Sequence, residues 1–177
     1  EQRLGVGGGW QDGVGAFSGT VKKITAAPGQ VLPERQDAAL APQVLSELKQ
    51  RMVVFPLGNG RHAGELLKKH IVDFMLRSKA SMEARDRLRV IFDQMETALK
   101  VGDIDRFGAL LSECARERVN VVGPMMTTPF IDEIFRDTTD VASGGRVSGA
   151  GGGGFMYLIA KKGDRKSTRL NSSHATL

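Results

Sequence analysis

The residue best suited to chemistry is Asp12, which stands among glycines in Gly7-Gly8-Gly9-Trp10-Gln11-Asp12-Gly13-Val14-Gly15. Spacing alone leaves two readings open. Asp12 is a helix cap, or a carboxylate held beside backbone that a substrate can approach closely. Such a group could orient a hydroxyl or accept its proton. A second glycine run, Gly149-Ala150-Gly151-Gly152-Gly153-Gly154, lies near the other end of the chain. It satisfies the dinucleotide fingerprint G-x-G-x-x-G literally, but that fingerprint works only where a helix follows and offers its N-terminus to a pyrophosphate. Here Phe155 to Ala160 reads as a strand. A glycine turn between two strands remains, with backbone N–H groups able to contact an anion. Fourteen of the 22 glycines fall in two groups around these runs, one of Gly5, Gly7, Gly8, Gly9, Gly13, Gly15 and Gly19 and the other of Gly144, Gly145, Gly149, Gly151, Gly152, Gly153 and Gly154, which suggests that the two loops meet around a ligand.

Other candidates read as structure. His62 and His70 have no metal-ligand spacing with Cys or paired carboxylates. Cys114 is in line with Leu110 and Leu111 and is expected to be a core thiol. Arg85, Asp86, Arg87 and Arg89 read as the solvated face of a helix.

The elements that must position the loops alternate between strand and helix. Val21 to Thr25 and Arg51 to Phe55 carry strand composition with flanking turn residues. From His62 to about Arg77, Leu66, Leu67, Ile71, Phe74 and Met75 recur at helical spacing. A helix from about Met82 to Val101 gathers Leu88, Ile91, Phe92, Met95, Ala98 and Leu99 on one face. Gly102-Asp103 stops it and caps a third helix, whose apolar face is Ile104, Phe107, Leu110, Leu111 and Cys114. Pro129 opens a short fourth helix through Ile131, Ile134 and Phe135. Arg146-Val147-Ser148, the second glycine loop and the strand Phe155 to Ala160 follow. This is an α+β layout, with helices covering a small sheet.

The chain resembles the GHMP small-molecule kinases, and among them the L-fucokinases, in three places. Gly8-Gly9-Trp10-Gln11-Asp12 is similar to their G-G-W-Q-D-Q segment. Val147-Ser148-Gly149-Ala150-Gly151-Gly152-Gly153-Gly154-Phe155 is similar to the third, C-terminal glycine motif of the family. Val53-Val54-Phe55-Pro56-Leu57-Gly58-Asn59-Gly60-Arg61 lies where fucokinases have an apolar strand ending in T-G-x-T-R. The resemblance runs from about Gly5 to Lys162.

It implies a kinase C-terminal domain, a small antiparallel sheet covered by helices, over residues 28–163. Residues 1–27 would be the end of the N-terminal kinase domain. Asp12 would be the catalytic aspartate, facing the sugar hydroxyl that takes the γ-phosphoryl group of ATP. Gly9, Trp10, Gly58 and Arg61 would border the substrate, and Gly149, Gly151, Gly152, Gly153 and Gly154 would form the active-site glycine loop. ATP and Mg²⁺ are implied as cofactors, held mainly by a part of the kinase not contained here. The phosphate-binding motif P-x-x-x-G-L-x-S-S does not occur in the sequence, so this polypeptide is expected to be inactive by itself. Three departures bear on the substrate: Gly13 replaces the Gln after the catalytic aspartate, and Leu57 and Gly60 replace two Thr residues. The rival readings are a heptose-phosphate kinase of the same family and a non-catalytic sugar-binding relative. Trp10 favours fucokinase over the first, and Gly13 favours the second.

Residues 164–177, Asp164 to Leu177, lack periodicity and resemble a translated sequencing adapter, so a disordered tail is expected there. Without them 22 basic and 19 acidic residues remain, and the net charge falls from +5 to +3. With an aromatic content of 6% and no basic stripe interleaved with stacking residues, no nucleic-acid partner is expected. No apolar run approaches the roughly 20 residues of a membrane helix, and a single cysteine agrees with a reducing cytoplasm. The partners implied are a small sugar and ATP, with the oligomeric state open.

Overall fold

The computed structural model describes residues 21–27, 29–30, 32–58, 68, 71–149 and 151–167. Two strands, β1 (Lys22–Thr25) and β2 (Glu34–Asp37), pair as an antiparallel hairpin in which Lys22 faces Asp37 and Thr25 faces Glu34. The helix α1 (Pro42–Arg51) opens on a proline and runs directly into β3 (Met52–Pro56). The long helices α2 (Lys79–Val101) and α3 (Ile104–Val122) follow. A 3₁₀ turn (Pro124–Met126) leads to α4 (Pro129–Asp137), β4 (Ala142–Val147) and β5 (Phe155–Ala160).

The main sheet is antiparallel, in the order β3-β5-β4. β5 is its central strand, and the two-residue period of a strand sends its side chains alternately to the two faces. Ile159 and Tyr157 join the core formed by α2 and α3. Met156 and Leu158 join Ile131 and Ile134 of α4 on the opposite face. Burial on both faces explains why Met156 to Ala160 is apolar throughout instead of alternating, while Phe155 at the strand's start is exposed.

Apolar spacing marks α2, and side-chain caps open α3 and α4. In α2 the buried residues Ala84, Leu88, Ile91, Met95 and Ala98 recur every three or four positions. Gly102, at φ 77°, ends that helix in the left-handed conformation that glycine adopts freely. Asp103 then caps α3 by accepting from the Arg106 N–H at 2.9 Å. Ile104, Leu110, Leu111 and Cys114 face the core. Thr128 caps α4 by accepting from Ile131 N.

Some expectations change. Phe92, assigned to the apolar face of α2, is 49% exposed. Residues 71–75 are helical as expected, but Ile71, Phe74 and Met75 are exposed instead of packed. There the Arg85 guanidinium lies over the Phe74 ring, 4.8 Å from its centre. Arg85 is thus half-buried, while Asp86, Arg87 and Arg89 are exposed. Arg51 belongs to α1, and β3 begins one residue later.

Candidate functional site

The glycine loop joins β4 to β5 at one end of the sheet. Gly149, Gly151, Gly152 and Gly154 have φ of 62°, 89°, 75° and 84°, a region that residues with a Cβ rarely adopt. One stretch of the loop is clamped: the Gly152 N–H donates to the Met126 carbonyl at 2.8 Å. A Cβ on Gly151 would come within 2.8 Å of that same oxygen. Gly149 and Gly154 face open space, with no atom within 4 Å of where a Cβ would stand. The base of the loop is closed by Ser148 N donating to Phe155 O at 2.7 Å. The loop is thus held at its middle and approachable at its shoulders.

The structure brings the middle motif to this loop. The Leu57 N–H donates to the Gly154 carbonyl at 2.8 Å. Gly58 is the next residue, at φ 84° with open space around it. The end of β3 and the glycine loop therefore border one region. Gly9, Trp10, Asp12 and Arg61 lie outside the described residues.

Met126 was not legible as a loop partner, because its contribution is a backbone carbonyl positioned by the turn at Gly123-Pro124. Gly144 and Gly145, grouped in sequence with the loop, serve packing instead. A Cβ on Gly144 would run into the Gly108 carbonyl of α3, and one on Gly145 into the Tyr157 carbonyl. The bare backbone of Gly144 lets α3 lie directly on β4, that of Gly145 makes room for β5, and Gly145 N donates to Ser112 Oγ at 3.0 Å. Cys114 is fully buried, and burial pushes its thiol above the usual range. Among the described residues no group of three or more His, Cys, Asp or Glu side chains is placed to hold a metal ion. No described helix is long and apolar enough to cross a membrane.

Residues 95–171, from Met95 through the glycine loop and β5, match the family described as GHMP kinases C terminal. The chain carries a GHMP kinase C-terminal domain. It is, moreover, homologous to fucokinases. It is 32% identical over 170 residues to the bifunctional fucokinase/GDP-fucose pyrophosphorylase of Arabidopsis thaliana, covering 93% of this chain and 16% of that protein. It is 26% identical over 164 residues to the L-fucokinase/L-fucose-1-P guanylyltransferase of Bacteroides fragilis, covering 91% of this chain and 17% of that protein. The chain thus spans about a sixth of the length of these relatives. Its fold is similar to that of L. major mevalonate kinase, solved in complex with R-mevalonate. The TM-score is 0.73 at 20% identity, over 93% of this chain and 47% of that one.

Proposed function

We propose that this chain is the acceptor side and back wall of an ATP-dependent sugar kinase that phosphorylates L-fucose. The observation that carries the reading is the glycine loop clamped on Met126 beside Leu57-Gly58, in a chain homologous to fucokinases over 93% of its length. In this reading Asp12 orients the anomeric hydroxyl of L-fucose and takes its proton as the oxygen attacks the γ-phosphorus of ATP. The bond from that phosphorus to the bridging oxygen of ADP breaks, giving fucose 1-phosphate and ADP. Phosphoryl transfer asks mainly for positioning and charge neutralisation, and a loop fixed at its centre supplies a rigid wall for the first. Gly9, Trp10, Gly58 and Arg61 border the sugar in this assignment.

No described acidic cluster suits a cation, and the phosphate-loop motif is absent from the sequence. As the resemblance implies, ATP and Mg²⁺ are assigned mainly to a part of the parent kinase other than this chain, which would supply phosphate-binding backbone and charge neutralisation. Residues 1–27 are assigned to the end of the nucleotide-binding domain, 28–163 to the C-terminal domain and 164–177 to an appended tail. The cytoplasm is the compartment proposed.

The test is ³¹P NMR of the full-length parent incubated with ATP and L-fucose. Fucose 1-phosphate is expected, and the 177-residue chain alone is expected to give none. Turnover of a heptose phosphate with L-fucose untouched would move the assignment to the heptose kinases. A folded parent that binds L-fucose without turnover would favour the non-catalytic reading suggested by Gly13.

A further inference from the structure

The outer edge of β4, unpaired among the described strands, borders a groove. It encloses about 670 Å³ between α3 and α4 and follows β4 from Ala142 to Val147. On the α4 side its lining is apolar, with Ile131, Phe135, Val147 and Leu158. On the α3 side it is cationic, with Arg116 and Arg118 from the helix and Arg146 from the strand.

Arg118 and Arg146 are held together by the fold. Arg146 is paired with Tyr157 across the sheet, so the strand period turns both toward α3. Its guanidinium donates to Cys114 Sγ at 3.5 Å and to the Val147 carbonyl at 3.4 Å. Arg118 follows Cys114 by four residues, one helical turn, and so rises on the same face. Both are half-buried. Burial, and after it the charge of Arg146, makes the Arg118 cation harder to hold.

The acids around them are engaged elsewhere. Glu113 pairs with Arg106 at 3.1 Å, Glu117 with Arg87 at 2.9 Å, and Asp132 accepts from Thr127 Oγ1 at 2.5 Å. Lys161, at the far end of the groove, is bound to the carbonyls of Thr139 and Asp140. Two like charges without a carboxylate partner among the described residues form an arrangement that a bound anion relieves. Guanidinium groups are suited to this because their planar donor forks match the oxygens of phosphate and carboxylate.

The geometry points to a binding site for a small amphiphilic anion. Its phosphate or carboxylate group sits between Arg118 and Arg146, and its apolar body lies across the β4 edge toward Phe135 and Val147. The lining of the site shares no residue with Gly58 or the glycine loop. It adjoins the glycine loop through Met126, which lines the groove and also holds Gly152.

The test is titration of the full 177-residue chain with phenyl phosphate, benzoate, inorganic phosphate and phenol. Binding is followed by calorimetry and by amide chemical shifts. Saturable one-to-one binding of at least one aryl anion is expected, with shifts concentrated in residues 112–118 and 142–147 and none of this with phenol. The tighter of phenyl phosphate and benzoate identifies the charged group. Arg118→Gln and Arg146→Gln are each expected to weaken binding roughly tenfold or more, and the exposed Arg89→Gln to leave it unchanged. Failure of both aryl anions to saturate, shifts scattered over the surface, or unaltered binding in folded Gln variants would overturn the proposal. If a Gln variant does not fold, the wild-type shift map decides alone.

Discussion

Arg51 shows how one side chain can join four elements. From the end of α1 its Nε donates to the Ala160 carbonyl of β5 at 2.7 Å, and Nη1 to Glu47 at 3.0 Å. Nη2 donates to Asp105 of α3 and to Ser143 of β4. Replacing it by Met leaves the buried Ala160 carbonyl without this donor and leaves Asp105 its hydrogen bond from Ser143 but no guanidinium. We expect Arg51→Met to cost about 2 kcal/mol in urea unfolding, less than for a fully buried pair because Asp105 is 58% exposed. Burial raises the Asp105 carboxyl, but hydrogen bonds from Ser143 and Arg51 outweigh it and hold the group below its ordinary range. Glu96 is lowered further, to about 2, by hydrogen bonds from Lys100 and then Lys23. A carboxylate depressed on folding stabilises the native state above its unfolded pKa and loses that effect as pH falls through the folded value. Stability is therefore expected to drop between about 4.5 and 2, and Glu96→Gln to flatten the denaturation midpoint over that window. A midpoint equally steep in the variant would exclude this role for Glu96.

The elements differ in how far their sequences announced them. α2, α3 and α4 were legible from apolar spacing together with the Gly102 stop of α2, the Asp103 cap of α3 and Pro129 at the start of α4. Thr128→Ala tests one such cap and should cost about 1 kcal/mol, read by thermal unfolding. β2 gave no signal, since Glu34, Arg35, Gln36 and Asp37 are all exposed and polar. It is a strand only through its pairing with β1. α1 was missed for a related reason, as Leu48 and Arg51 are its only buried residues. The second glycine cluster divides in a way that composition did not reveal. Gly144→Ala would drive a Cβ into the Gly108 carbonyl, and we expect a loss of about 3 kcal/mol or more in chemical denaturation. Gly149→Ala meets only backbone strain at φ 62°, so about 1 kcal/mol is expected there.

At the scale of the whole molecule, one end of the sheet collects the described features assigned to the proposed site. The glycine loop, the Met126 carbonyl and the end of β3 at Gly58 converge there. The motif named the loop and the family, while the clamp on Met126 came only from the turn after α3. Gly151→Val in the full-length parent should disturb that clamp, and a fall in kcat of at least about 100-fold is expected. The role of Asp12 rests on its motif, Gly8-Gly9-Trp10-Gln11-Asp12, while the central claim that this chain serves a fucose-phosphorylating kinase rests on the glycine loop and the homology to fucokinases. The most direct measurement is ADP formation by the full-length parent with ATP, with and without L-fucose, repeated with Asp12→Asn. We predict fucose-dependent turnover that falls by about 10²–10⁴ in the variant. No fucose dependence in a folded parent, or undiminished turnover in the Asp12→Asn variant, would contradict it.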